Sequence, residues 1–233
     1  MKLKEGKMFK TELHCHSKEV SECAQASAME LVKLYKDAGY STIVLTNHFA
    51  SFTYNYLNSK NWQDWIDKYL YGYELLKSEA KGILEVLFAI EIRPIDSPND
   101  YLLYGIGEGL LRESENLYCL SVKQLSNFCR QHGVLMIQAH PFREGMQMTP
   151  NWLLDGIEVF NGSIGGHYEA DSHNDRAKSY AQHFKLIKTS GSDLHYPTDK
   201  ILGGIRTSQK ITSVNQLVDI LKSGKYTLIE ETP

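Results

Sequence analysis

The chain has 233 residues, a net charge of −3, 42% hydrophobic residues and 23% charged residues, which is an ordinary globular composition. With this net charge no global basic field attracts nucleic acid or an anionic membrane, so extended nucleic-acid binding is not expected, although a local basic patch is compatible with it. No run approaches the roughly 18–20 apolar residues of a membrane span. The lysine-rich segment 1–10 lacks the apolar core of a signal peptide. Four cysteines without a Cys-x-x-Cys pair predict a reducing, cytoplasmic location.

Strand and helix patterns alternate along the chain. Strands are predicted at 9–15, 42–45, 84–90, 101–106, 134–137, 156–160, 186–188 and 226–229. Ser27, Ser121 and Ser213 are each followed three residues later by Glu or Gln, a pattern that predicts helix starts. Apolar strands separated by helices predict a parallel sheet covered by helices. About seven such units favour an α/β barrel, with 1–233 as one domain.

Seven residues with metal-binding side chains lie where predicted strands end. They are His14, His16, His48, Glu91, His140, Asp193 and His195. Residues two apart in a strand face the same side, so a His-x-His pair can bind one ion. The ends of parallel barrel strands share one face, so we expect all seven to converge there. Imidazole and carboxylate ligands together suit zinc, iron or manganese.

These motifs, in this order and approximate spacing, resemble the polymerase-and-histidinol-phosphatase (PHP) family of metal-dependent phosphoesterases. The resemblance covers nearly the whole chain and rests on Glu12-Leu13-His14-Cys15-His16-Ser17, Thr46-Asn47-His48, Glu91, Ala139-His140-Pro141 and Gly191-Ser192-Asp193-Leu194-His195. It implies the PHP fold, which is a distorted (β/α)7 TIM-like barrel, and two or three divalent metal ions (zinc, manganese or iron).

The resemblance also implies which residues bind each ion. The first ion would be bound by His14, His16, Glu91 and Asp193. Glu91 would bridge to a second ion, which His140 also holds. His48 and His195 would bind a third.

Three positions depart from the family's fuller pattern. Glu22 is the candidate for the further ligand that the third ion usually gains shortly after His-x-His. Glu108 is the candidate for the second ion's usual histidine, although a solvated loop glutamate fits the sequence equally well. Asn47 replaces the usual aspartate before His48, which is expected to alter a supporting hydrogen bond and not a ligand.

Arginines near the predicted metal face are candidates for binding a phosphate group, because the guanidinium matches phosphate geometry. They are Arg143, Arg93 and Arg206. Each could equally form a structural salt bridge. Asn161, His167 and His173 could line the pocket or be solvated. The aromatic segment 49–67 could stack on nucleobases at the rim, although packing against the barrel is the simpler interpretation.

The leading functional hypothesis is a metal-dependent hydrolase acting on a phosphoric ester. Its substrate would be a small phosphomonoester, as in histidinol phosphatase, attacked by a metal-activated hydroxide. Asp193, His195 and Arg143 are the catalytic candidates. A nuclease acting on short oligonucleotides or nucleotides, a non-catalytic metal-stabilised module and a C–N bond hydrolase are alternatives. The sequence predicts no membrane partner and does not indicate the oligomeric state.

Overall fold

The computed structural model of the protein describes residues 7–163 and 168–231. The strands are β1 (Phe9–Glu12), β2 (Tyr40–Leu45), β3 (His48–Phe49), β4 (Glu85–Phe88), β5 (Ile90–Ile92), β6 (Tyr101–Tyr104), β7 (Leu135–Gln138), β8 (Gly156–Asn161), β9 (Ile187–Gly191), β10 (Gly203–Thr207) and β11 (Thr227–Glu230). The helices are α1 (Ala28–Asp37), α2 (Ser51–Tyr56), α3 (Trp62–Glu79), α4 (Glu108–Glu113), α5 (Val122–His132), α6 (Tyr168–Phe184) and α7 (Val214–Ser223). Within these ranges, no helix combines the length and hydropathy needed to cross a membrane.

Three helices begin at the serines that the sequence predicted. Ser27 and Ser121 form complete capping boxes with Glu30 and Gln124. Ser213 caps α7 by accepting from the Gln216 N–H, while the Gln216 side chain accepts from the Thr212 N–H. The three predicted helix starts are confirmed. Each serine cap stabilises its helix because it accepts a hydrogen bond from a backbone N–H that the first turn leaves without a partner.

The fold is mixed α/β with two sheets. The five-stranded sheet has the order β11-β10-β1-β2-β4, and the six-stranded sheet has the order β3-β5-β6-β7-β8-β9. Backbone hydrogen bonds connect them at two places. The Ala89 N–H, between β4 and β5, donates to the Leu45 carbonyl at 3.0 Å. Beyond the ends of β9 and β1, the Asp193 N–H donates to the His14 carbonyl at 2.8 Å.

The prediction of an all-parallel sheet is wrong at β6, which runs antiparallel to both β5 and β7. The segment 93–100, which joins β5 to β6, contains no helix. A parallel connection needs a crossover of about a dozen residues or more, so this short segment must reverse the chain. Strand β10 is also antiparallel to both β1 and β11.

Strand side chains alternate between two buried clusters. On β6, Tyr101 and Leu103 belong to a cluster shared with α1, α3 and α5, whereas Leu102 and Tyr104 belong to a second cluster. The second cluster also contains residues of β2, β4 and β7, and Leu217 of α7. Successive strand residues face opposite sides. The two clusters therefore lie on opposite faces of the strands.

Candidate metal centre

The structure brings all seven predicted ligands together at one end of the strands. We call this group the histidine–carboxylate cluster; its members are His14, His16, His48, Glu91, His140, Asp193 and His195. All are buried except His195, which is partly exposed. Two of them have left-handed backbone conformations, His140 with φ 28° and Asp193 with φ 51°. Such strained residues concentrate at functional sites, where the surrounding structure maintains them.

Glu91 lies at the centre of the cluster. Its Oε2 is 2.8 Å from His48 Nδ1 and 3.4 Å from His16 Nε2. Its Oε1 is 3.1 Å from His140 Nε2 and 3.4 Å from His14 Nε2. One buried carboxylate therefore contacts four imidazoles that come from three other strand ends.

Asp193 makes the second set of contacts. Its Oδ1 is 3.2 Å from His16 Nε2 and 3.4 Å from both His14 Nε2 and His195 Nδ1. The His14 and His16 Nε2 atoms are themselves 3.1 Å apart. His14 and His16 thus link the Asp193 side of the cluster to the Glu91 side.

These separations fit metal coordination. Two ligand atoms about 2.0–2.1 Å from a tetrahedral ion lie about 3.3 Å from each other. Four triplets of ligand atoms lie mutually within 4.8 Å: His14–Glu91–His140, His14–His16–Asp193, His16–His48–His195 and His48–Glu91–Asp100. The buried atoms Glu91 Oε2 and His48 Nδ1 form an ion-pair contact at 2.8 Å, and neither makes a hydrogen bond to any other described residue. The donor set therefore fits divalent metal ions.

The electrostatics keep the carboxylates ionised. Burial alone would raise the pKa of Glu91, but the imidazoles of His48 and His14 outweigh burial and hold that pKa well below its ordinary value. Asp193 behaves in the same way, with His14 as the main opposing group. Metal ligands must be deprotonated to bind. Both carboxylates are therefore already in the binding form at neutral pH.

Glu158 and Asn161 of β8 support the cluster from behind. Glu158 Oε1 lies 3.0 Å from His14 Nδ1, and Oε2 accepts from the His140 N–H at 2.9 Å. Asn161 Nδ2 donates to Glu158 at 2.8 Å and to Asp193 Oδ2 at 3.1 Å. Such outer contacts orient ligands and fix the imidazole tautomer. The sequence analysis missed Glu158, although a glutamate inside the apolar run of β8 was an available signal.

Glu12 supports the cluster through the backbone. Its Oε1 accepts N–H groups of Leu13, His14 and Ser192, each at 2.9 Å, and so joins the ends of β1 and β9. Burial is the largest influence on this carboxyl and raises its pKa from 4.5 to about 7. Hydrogen bonds from Ser192 and His14 oppose burial without cancelling it.

This raised pKa predicts that Glu12→Gln flattens the pH dependence of stability of the metal-free protein. The folded state keeps Glu12 protonated while the unfolded chain ionises, so wild-type stability falls as pH rises from about 4.5 to about 7. The loss is at most about 3 kcal/mol. Glutamine has no proton to lose, so the variant lacks this contribution. Urea denaturation in chelator across this pH range would measure it, and equal slopes for both proteins would contradict the prediction.

Asn47 supports the cluster indirectly. Its Oδ1 accepts from the Ser17 N–H at 2.8 Å and from Ser21 Oγ at 3.1 Å. Ser21 Oγ in turn lies 3.4 Å from His16 Nδ1. The Asn47 side chain therefore reaches the candidate ligand His16 only through Ser21. Its own hydrogen bonds are to the two serines and not to a ligand.

The remaining predicted residues have different positions. Arg93 and Arg143 line a cavity of about 990 Å³ above the cluster, and the exposed Glu22 also lines it. Arg206 lies on β10 and pairs with Glu231 at 3.1 Å, outside this cavity lining. Glu108 begins α4 and belongs to none of the four ligand triplets of the described residues. His167 lies outside the described residues.

Asp100 is a candidate ligand that the sequence analysis missed. It directly precedes β6, lies 3.8 Å from His140 Nε2 and accepts two hydrogen bonds from Arg93, at 2.7 and 2.6 Å. Because β6 is antiparallel, its N-terminal end, where Asp100 lies, is at the cluster, and Glu108 follows its far end. The short 93–100 connection was the available signal.

We expect Asp100→Asn to weaken metal binding, while Glu108→Gln leaves it unchanged. Losing the Asp100 charge removes one candidate ligand and releases Arg93 from its ion pair. We expect the affinity for at least one ion to fall by about 10–100-fold. This is the loss typically seen when a residue that supports a metal ligand is mutated. Metal titration of both variants by calorimetry would measure the difference. A stronger effect from Glu108→Gln would contradict the antiparallel placement of β6.

The aromatic segment packs mainly on the protein. Trp65 is fully buried and stacks on Phe49 with ring centroids 4.4 Å apart, and Trp62 is also buried. Phe52 instead lines the cavity, 5.6 Å from the His48 ring centroid. The buried Trp62 and Trp65 therefore fit packing against the protein, whereas Phe52 is placed at the cavity.

Comparison with known proteins gives matches only at the level of structure. No family model matches the sequence, and no curated protein matches it. A two-domain protein from Bacteroides vulgatus containing a predicted PHP-like metal-dependent phosphoesterase is 16% identical, with a TM-score of 0.70 over 97% of this chain and 66% of that one. The chain has the fold of the PHP-like phosphoesterases. It spans about two thirds of that two-domain protein.

Two further solved structures resemble this chain. A candidate metal-dependent phosphoesterase from Bifidobacterium adolescentis is 14% identical, with a TM-score of 0.54 over 94% of this chain and 97% of that one. An amidohydrolase from Chromobacterium violaceum, with bound sulfate and no metal, is 12% identical, with a TM-score of 0.53 over 94% and 97% of the two chains. At these identities the likeness shows a shared fold alone.

Proposed function

We propose that this protein is a metal-dependent phosphoesterase that hydrolyses a small phosphomonoester. The observation that carries the proposal is that Glu91 is shared between two candidate ligand triplets, His14–Glu91–His140 and His48–Glu91–Asp100. A shared carboxylate suits a pair of close ions. When bound, such ions lower the pKa of water and neutralise charge on phosphate oxygens. Zinc, manganese and iron match these donors.

The cavity supplies groups for phosphate. Arg93 and Arg143 reach it from different loops, and Lys200 adds a third cation. In phosphomonoester hydrolysis, a bond forms between phosphorus and a water oxygen while the bond to the leaving-group oxygen breaks. Arg143 would bind the phosphate oxygens in this reaction, and Asp193 and His195 would act beside the phosphorus.

The size of the cavity supports a small substrate. Its volume of about 990 Å³ lies in the range of roughly 300–1,000 Å³ for small-molecule sites. The net charge of −3 disfavours a long nucleic-acid track. Four free cysteines, with Cys23 and Cys119 exposed, support a reducing cytoplasmic location.

We also infer that the two sheets form one distorted seven-stranded barrel. Its order would be β1, β2 with β3, β4 with β5, β6, β7, β8 and β9, returning to β1. The support is the Ala89–Leu45 hydrogen bond and the parallel bridge between Cys15 and Leu194, which joins the ends of β1 and β9. A closed barrel would place the second apolar cluster, which contains Leu102 and Tyr104, in its interior.

Phosphate release from metal-reconstituted protein tests the proposed activity. The chelated protein would be reloaded separately with zinc, manganese or iron, and its metal content measured. We expect release from an aryl phosphate and from some members of a panel of small phosphomonoesters. Asp193→Asn is the inactive control. Metal-loaded protein that hydrolyses nothing in the panel would contradict the proposal.

Two parallel measurements distinguish the alternatives. Cleavage of a labelled oligonucleotide without release from phosphomonoesters would identify a nuclease. Metal that raises the melting temperature without any turnover would indicate a structural metal module. Hydrolysis of amide substrates at the same centre would instead favour a C–N bond hydrolase.

A further inference from the structure

Arg93 is held at the cavity by two neighbouring side chains. Its Nε and Nη2 donate to the two oxygens of the buried Asp100, at 2.7 and 2.6 Å. Its guanidinium lies over the Phe52 ring, with Cζ 5.6 Å from the ring centroid. Nη1 makes no hydrogen bond to any described residue. Because the guanidinium is already oriented, its Nη1 can bind an anion in the cavity with little further loss of side-chain entropy.

Arg143 reaches the same cavity from two consecutive turns. The Arg143 N–H donates to the His140 carbonyl at 3.3 Å, and the Met146 N–H donates to the Arg143 carbonyl at 2.9 Å. Gly145, the third residue of the second turn, has φ +82°, a conformation that glycine adopts without strain. The Arg143 side chain is exposed and pairs with no carboxylate in the described part of the chain. Its guanidinium is therefore available to a ligand.

Asn99 connects the segment 93–100, which carries one of these arginines, to the segment 141–149, which carries the other. Its Oδ1 accepts from the Gln147 N–H at 2.8 Å, and its Nδ2 donates to the Gln147 carbonyl at 2.6 Å. Nδ2 also donates to Thr149 Oγ1 at 3.1 Å. Asn99 is buried, so these hydrogen bonds are shielded from water. One side-chain amide therefore fixes the distance between the two segments.

Phe142 anchors the other end of the segment 141–149. The Arg176 guanidinium of α6 lies over its ring, with Cζ 4.3 Å from the centroid, and the Tyr180 ring centroid is 6.3 Å away. Residues 143–146 lie between this anchor and the Asn99 contacts, and three of these four residues line the cavity. The turn that carries the second arginine is therefore supported on both sides.

We propose that Asn99 is a positioning residue that holds Arg143 where it and Arg93 bind the same phosphate group. The proposal deepens the proposed function and rests on it for the identity of the ligand. A phosphomonoester dianion has three non-bridging oxygens, so two guanidinium groups can bind it while one oxygen faces the cluster. A phosphodiester has only two such oxygens and one negative charge. The arginine pair therefore suits a phosphomonoester better than a phosphodiester.

The phosphate affinity of the metal-loaded protein tests the proposal without a turnover measurement. Calorimetric titration with inorganic phosphate would compare the wild type with Arg93→Gln, Arg143→Gln and Asn99→Ala, each at verified metal content. We expect each arginine variant to bind phosphate about 10–100-fold more weakly, and Asn99→Ala about tenfold more weakly. Asn61→Ala is the matched control, because Asn61 also accepts from a backbone N–H but does not line the cavity. The control should keep the wild-type phosphate affinity.

A double variant separates positioning from a general structural role. If Asn99 acts through Arg143, Asn99→Ala should have little further effect on phosphate affinity in an Arg143→Gln background. An equal loss in both backgrounds would overturn the proposal, as would wild-type phosphate affinity in Asn99→Ala. Thr149→Val, which removes one Asn99 hydrogen bond at nearly the same shape, provides the same test if Asn99→Ala does not fold.

Hydrolysis measured on the same proteins distinguishes this proposal from the proposed function. A wild type that hydrolyses phosphomonoesters, with variants that all keep its phosphate affinity, would overturn the arginine pair and leave the activity intact. A wild type that binds phosphate with the expected variant pattern but hydrolyses no phosphomonoester would support the pair and reject the activity. Metal-loaded protein that neither binds phosphate nor hydrolyses a phosphomonoester would reject both.

Discussion

Glu91→Gln is expected to abolish metal binding at the shared position and the proposed hydrolysis with it. Glutamine has nearly the same shape but no charge, and Glu91 contacts His14, His16, His48 and His140 within 3.4 Å. Loss of a supporting group at a metal site typically lowers metal affinity by about 10–100-fold, and loss of this central charged ligand should lower it by more.

Metal analysis and phosphate release would measure the effect of Glu91→Gln. Glu85→Gln is the matched control, because Glu85 begins β4, the strand that precedes β5, and pairs with Lys210 at 3.0 Å away from the cluster. The control should keep wild-type metal content and activity. A Glu91→Gln protein that binds the full complement of metal would contradict the central role of this carboxylate.

Gly191→Ala should strongly destabilise the protein, because the end of β9 leaves no room for a side chain. An added Cβ would lie 2.3 Å from His14 Cβ and 2.7 Å from Glu158 Oε1. His14 and Glu158 are fully buried and cannot move aside without disturbing the cluster. Overpacking of this kind costs about 3 kcal/mol, and loss of the His14 position would also lower metal affinity.

Gly109→Ala is the control for Gly191→Ala. Gly109 lies in α4, where an added Cβ meets no atom within 4 Å. The control should therefore be unchanged or stabilised by about 0.5–1 kcal/mol, because alanine favours a helix. Urea denaturation of both metal-free variants would measure the difference. Equal stability of the two variants would show that β9 and β1 are not closely packed at this point.

Much of the candidate site was predictable because its signals are local. The seven predicted ligands each follow or end an apolar strand, so residue type and strand position could be read from a few neighbouring residues. The structure brings all seven within one cluster. The helix starts at Ser27 and Ser121 were equally local, since a capping box needs only four consecutive residues.

The residues that were missed depend on contacts between distant segments. Glu158 contacts His14 across 144 positions, and Glu12 accepts from Ser192 across 180. Both carboxylates are buried among strands, where an isolated glutamate could equally have been assigned to a solvated face. Their roles follow from which strand ends meet, which no single segment specifies.

The sequence by itself determined the types and order of the candidate ligands and the alternation of strands and helices, because these depend on neighbouring residues. Only the tertiary structure decided which carboxylates face the cluster. The reversal of β6 brings Asp100 to the cluster and leaves Glu108 at the far end. The physical reason is that chain direction and turn geometry orient a side chain only after the strands have paired.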